Sequence, residues 1–165
     1  MSEPKENVSA TEKDYLQDIA NISGKPGLYR ILKPGRTGII IETLDAKREK
    51  SMAAASAKVS ILKDVSVYVE GDEEESIPLK EVFLKIREVL GEELPFDPKK
   101  EVEPEIRDQF EVVLPNYHKS RVYTSDIRKI FTWYQILTEQ VPELFGQSGK
   151  KLNKAASATS EEEGN

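Results

Sequence analysis

Residues Val65–Gly91 read VSVYVEGDEEESIPLKEVFLKIREVLG, and the period of the apolar residues changes within them. Val65, Val67 and Val69 alternate, which places them on one face of a strand. Residues 71–76 form an acidic connector. After it, Leu79, Val82, Phe83, Ile86, Val89 and Leu90 recur every three to four residues, as one stripe of a helix does. Pro78 suits the first turn of that helix and Gly91 its stop. Strands before this junction and helices after it make an α+β chain.

Working back from the junction, Gly27–Lys33 (GLYRILK) and Thr37–Leu44 (TGIIIETL) read as strands around a Pro34-Gly35-Arg36 turn. Asp45–Arg48 turns the chain again, Glu49–Ala53 returns as a third strand, and Ala53–Ala57 is Ala-rich enough for a helical turn. Val59–Leu62 and Val65–Val69 complete about five short strands, the content of a small SH3-like β-barrel or a bent antiparallel sheet. Ahead of them Tyr15, Leu16 and Ile19 have helical spacing, and Ser23–Gly27 punctuates.

Working forward, Pro104 opens a second helix whose face is Ile106, Phe110, Val113 and Leu114, closed by Pro115. A third helix begins at Thr124 or Ser125, either of which can cap it, with the stripe Ile127, Ile130, Phe131, Tyr134, Leu137 and Val141. The expected organisation is a flexible tail over 1–12, a short helix plus β-unit over 13–70, the connector over 71–76, a three-helix unit over 77–142 and a disordered low-complexity tail over 143–165.

The chain has 165 residues, no cysteine and a net charge of -6. Without cysteine there are no disulfides, thiolate metal sites or thiol nucleophiles, which fits a reducing cytoplasm. The first residues, MSEPKENVSATEKD, lack the basic-then-apolar order of a secretory signal. No apolar run approaches the roughly 18–20 residues that cross a bilayer. No membrane role is expected, and the expected location is the cytoplasm. Charge is uneven: residues 24–70 hold nine Lys/Arg against five Asp/Glu, residues 71–111 six against fourteen, and residues 112–154 seven against three. Opposite charges within one small fold tend to pair internally.

Chemistry-bearing patterns are sparse. Ser23-Gly24-Lys25-Pro26-Gly27 lacks the spacing of a phosphate-binding loop and precedes a strand. His118 is the only histidine, too few for a metal site and without an evident nucleophile beside it. The acidic run at Asp72–Glu75 lacks the spacing of a calcium loop. No metal, no cofactor and no enzymatic activity are expected. An unfamiliar catalytic site would need His118, Tyr123 and Asp126 in one pocket.

The strongest candidate surface is the aromatic and basic run from Tyr117 to Tyr134. Lys119, Arg121, Tyr123, Arg128, Lys129 and Trp133 are the candidate partner-binding residues, because aromatics offer contact area and cations meet anions. An aromatic stripe at helical spacing more often packs inward, which would make Phe131 and Tyr134 core. Trp133 stands about 100° from Tyr134 around the helix, at the edge of the stripe or against the β-unit. About ten residues separate the second and third helices, too many for a helix-turn-helix reader of DNA.

The segments SGKPGLYRI, GIIIETLD, LKDVSVYV, IPLKEVFLKI and VLPNY, followed after three residues by RVYTSDIRKIFTWYQIL, occur in that order. This arrangement resembles a family of small bacterial proteins from Bacteroidota classified only as domains of unknown function, over about residues 13–141. The resemblance implies a β-rich N-terminal unit, a helical C-terminal unit and a variable tail. It brings no activity, cofactor or site residue. The basic Lys47-Arg48-Glu49-Lys50 stretch and the alanines after it depart from the pattern and bear on the third strand. The expected function is a non-enzymatic protein-binding or adaptor module, the partner held by the β-unit or the exposed edge of the third helix. The alternative is an RNA-linked, nucleic-acid-associated factor that uses the basic β-unit and the Lys119–Lys129 region. Clustering of Lys25, Arg30, Arg36, Lys47, Arg48 and Lys58 on one face would favour nucleic acid, and an exposed Trp133 would favour protein.

Overall fold

The structure is a computed structural model that describes residues 14–71 and 75–146. The tails expected over 1–12 and beyond 146, and Asp72–Glu74 of the connector, lie outside the described residues.

Strands β1 (Ile19–Ile22), β2 (Tyr29–Pro34), β3 (Gly38–Thr43), β4 (Lys50–Ala54) and β5 (Val59–Ile61) form one antiparallel sheet in the order β4-β3-β2-β1-β5. β4 and β5 are its two edges, so the sheet is open and the closed SH3-like barrel does not form. A register shift between Ile31 and Lys33 interrupts the β2–β3 ladder, as a bulge does where a strand bends.

The short helix expected near residues 13–22 is absent. Residues 15–18 turn, and β1 follows in the interior of the sheet, pairing Ala20 with Tyr29 on one side and with Ile61 on the other. A helix this short is marginal in water, whereas a strand between two partners satisfies its backbone on both edges. Leu16 and Ile19 are still fully buried, but from a turn and a strand.

The β3–β4 connection is organised by Asp45, whose Oδ1 accepts from Thr43 Oγ1 at 2.8 Å and from the Lys47 and Arg48 N–H groups at 3.0 Å each. The Thr43 hydroxyl and then the Arg48 amide hold its carboxyl below the usual carboxylate range. Arg48 takes a positive φ of 51° in this turn.

The strand expected over Val65–Val69 exists but joins a different ladder. β6 (Ser66–Tyr68) pairs with β7 (Ser76–Pro78), and Val69 bridges Tyr117, outside the five-stranded sheet. A 3-10 turn over Leu62–Asp64 separates β5 from β6.

Three helices follow: α1 (Leu79–Leu90), α2 (Glu103–Val113) and α3 (Thr124–Gln140). The expected stripes are buried except at the end of α1, where Leu90 is half-buried and Val89, on the margin of the stripe, is exposed. Neither Thr124 nor Ser125 caps α3. The Tyr123 N–H is instead satisfied by Asp126 Oδ2 at 3.0 Å. Thr124 Oγ1 donates to Glu103 Oε2 at 2.8 Å and accepts from Arg107 Nε at 2.9 Å, tying α3 to α2. The tail expected from 143 does not begin there: Leu144 and Phe145, in a 3-10 turn, are buried, and Phe145 meets the Tyr134 ring at 5.4 Å.

One apolar cluster joins the units. Leu16, Ile19, Leu28, Leu44 and Leu62 of the N-terminal part pack in the same cluster as Phe83, Phe110, Phe131 and Leu137. A separate small cluster of Ile22, Ile41 and Ala53 lies within the sheet, with Tyr29, Ile31, Ile39 and Val59 around it. Among the described residues, no helix is long and apolar enough to cross a membrane.

Candidate partner-binding groove

Of the six residues singled out in the aromatic and basic run, three serve local structure or stand apart. Arg128 Nη1 donates to the carbonyls of Pro98 at 3.0 Å and Glu101 at 2.7 Å, holding the α1–α2 loop. Lys119 Nζ donates to the carbonyls of Pro115 and Tyr117 at 3.2 Å each and stands 4.1 Å from the Tyr117 ring centre. Tyr123 is 62% exposed at the start of α3 and lines none of the cavities described below.

The other three meet. Arg121, Lys129 and Trp133 line one cavity of about 300 Å3. One wall is α3, where Asp126, Lys129, Ile130 and Trp133 fall at helical spacing on the same face. Ser66, Val67 and Tyr68 of β6 also line the cavity, together with Asn21 of β1 and Ser60 of β5. Trp133 is 9% exposed, so it is part of the core and not the exposed aromatic that would mark a flat docking surface. Its offset from the Tyr134 line turns it toward the β-unit. Arg121 lies over the Tyr68 ring, 4.4 Å from its centre, which fixes a cation in the cavity lining.

A second hollow of about 570 Å3 adjoins the first, shares Asn21, Ser60 and Lys129 with it, and adds Lys25 and Lys58. The two form one groove with four cations (Lys25, Lys58, Arg121 and Lys129) and one carboxylate, Asp126. Of the six β-unit cations considered together, only Lys25 and Lys58 reach it. Arg30 pairs with Asp18 Oδ2 at 2.9 Å, and Arg36, Lys47 and Arg48 line neither hollow. Asn21, Ser60 and Tyr68 carry no signal in the sequence that would have placed them here. Their convergence follows from β1 being a strand and β6 lying outside the sheet.

The three residues of the hypothetical catalytic site are not gathered by this cavity. Asp126 lines it, while Tyr123 and His118 do not. His118 Nδ1 lies 3.2 Å from Ser120 Oγ and 3.7 Å from Glu70 Oε2. Among the described residues no group of three or more His, Asp or Glu side chains is placed to hold a metal ion.

Two family models match the chain, both described as domains of unknown function: DUF5606 over residues 16–62 and DUF6852 over residues 65–137. A solution NMR structure of a protein from Bacteroides vulgatus, a structural-genomics target, is 36% identical, with a TM-score of 0.64 over 76% of this chain and 87% of that one. The chain belongs to this family. No curated protein matches. The family's two domains meet between residues 62 and 65, in the turn that separates β5 from β6. Asn21 and Ser60 come from the first domain and the rest of the cavity lining from the second, so the cavity lies on the seam.

Proposed function

We propose that this family member is a non-enzymatic, cytoplasmic protein-binding module whose partner docks in the groove on the seam between the two domains. The observation that carries this reading is the meeting of Arg121, Lys129 and Trp133 with residues of the first domain around one cavity. Concave sites of this kind, where apolar walls stand beside a few fixed polar groups, are the usual places for ligands. The absence of cysteine supports a reducing compartment.

Protein is favoured over nucleic acid on two counts. Stacking needs an open ring face, and Trp133 is buried while Arg121 already covers one face of Tyr68. Phosphates also need a continuous positive track, and of the six β-unit cations only Lys25 and Lys58 reach the groove, while Arg30 is paired with Asp18.

The test is affinity capture of the tagged full chain from its own lysate, beside a Lys129→Glu variant, each with and without nuclease. A protein that survives nuclease and is lost with Lys129→Glu is the expected result. Partners that vanish on nuclease treatment would place the protein with nucleic acid and sink the proposal.

A further inference from the structure

We infer that the groove takes an acidic peptide segment of the partner carrying one large apolar side chain. The inference rests on the protein-binding reading and specifies what is bound. The cavity of about 300 Å3 is at the small end of ligand pockets, room for one anchoring side chain and not for an extended ligand. Its walls supply apolar partners for that anchor: Val65, Val67, Val122, Ile130 and Trp133. Buried aromatic anchors of this type dominate the energetics of many interfaces.

Charge decides what flanks the anchor. Lys129 belongs to both hollows, Arg121 lines the anchor cavity itself, and Lys25 and Lys58 line the hollow beside it. Cations thus stand both in the anchor cavity and next to it, which matches carboxylates flanking the apolar residue. The chain carries a net charge of -6, so an acidic segment is drawn only to local basic regions, and this groove brings together cations from two of them, residues 24–70 and 112–154.

The backbone of β6 adds a third element. The Val69 N–H points to β7, donating to Glu75 O at 2.9 Å, while Tyr68 O faces the other way and accepts from His118 N at 2.9 Å. Alternation along a strand turns the Ser66 N–H and C=O to the same side as those of Tyr68. Ser66 is exposed and lines the cavity. An extended segment in the groove therefore meets backbone hydrogen-bonding groups beside the anchor site, as in strand addition.

Trp133 is the only tryptophan, so its emission reports directly on this cavity. The full chain is titrated with a short peptide that has a central Phe flanked on both sides by Glu, and with variants in which Ser replaces Phe or Lys replaces every Glu. The expected result is a saturable change in Trp133 emission, weakened roughly tenfold by loss of the Phe and abolished by reversal of the peptide charges. Lys58→Glu and Lys129→Glu, both at exposed positions, should each weaken binding by about tenfold, and Ser60→Tyr should block it by narrowing the groove. Equal response to the acidic and the Lys-substituted peptides would overturn the inference. So would a uridine oligonucleotide that displaces the peptide. If a partner captured from lysate still depends on Lys129 while no acidic peptide binds, the inference falls and the binding module stands. If both fail, both readings fall.

Discussion

Arginine at the residue scale does much of the joining in the helical layer, and tyrosine provides the acceptors. Arg87 Nε donates to Tyr134 Oη at 2.7 Å and its guanidinium lies 3.9 Å from the centre of the Phe145 ring. Arg107 donates to Tyr117 Oη at 3.1 Å and to the Val122 carbonyl at 3.0 Å. The planar fork of five donors reaches acceptors that are set apart from one another, whereas a lysine donates from a single nitrogen. Tyr134 Oη then donates to Gly91 O at 2.7 Å, closing the C-terminal end of α1. Burial pushes the Tyr134 hydroxyl above its ordinary value of 10.0, against the opposing effect of Arg87. The folded state thus favours the neutral phenol. Its contribution is complete below the unfolded pKa and is lost as pH rises through the folded one, in the alkaline range above about 10. Tyr134→Phe should cost about 1–3 kcal/mol at neutral pH, since it leaves Gly91 O and Arg87 Nε without this partner. It should also flatten the alkaline fall in stability. Urea titrations of both proteins across that range would show parallel curves if Tyr134 were not responsible.

Secondary structure was legible where its cause is local. The α1, α2 and α3 stripes follow from spacing alone, since a helix closes its hydrogen bonds within itself. Strands differ in this respect. The alternation of Val65, Val67 and Val69 correctly identifies a strand, but says nothing of its partner, and β6 pairs with β7 instead of joining the sheet. β1 was the reverse case: Leu16 and Ile19 fit a helical stripe, and only the ladders from β2 and β5 make Ile19–Ile22 a strand. The β3–β4 hairpin shows how tight such pairing is. A Cβ at Gly38 would overlap the Ala53 carbonyl oxygen, so space alone demands glycine here. Gly38→Ala should therefore destabilise the protein by about 1–3 kcal/mol, the cost of overpacking a closed contact. A lowered urea midpoint with an unchanged slope is the expected signature. An unchanged midpoint would mean that β4, an edge strand, shifts without cost.

For the whole molecule, the two family domains do not have separate cores. Leu16, Ile19, Leu28, Leu44 and Leu62 share the cluster built around the three helices, while the sheet's own cluster has only three buried residues, Ile22, Ile41 and Ala53. The chain should unfold in a single transition, with far-ultraviolet dichroism and Trp133 emission coincident. A fragment ending at residue 64 should lack dispersed amide resonances, because too little apolar surface remains to offset its chain entropy. Two separated transitions would refute the shared core. Composition and periodicity by themselves determined the α+β class, the strands β2 to β6, the faces of α1 to α3 and the offset of Trp133 from the Tyr134 stripe, because each depends on neighbours a few residues apart. Only the tertiary structure decided that the sheet stays open, that Ile19–Ile22 is a strand within it, that β6 stands outside it, and that Lys25, Lys58, Arg121 and Lys129 surround one groove. Those outcomes depend on contacts between residues far apart in sequence, which hydrogen-bond pairing and the burial of one common core select and no local pattern records.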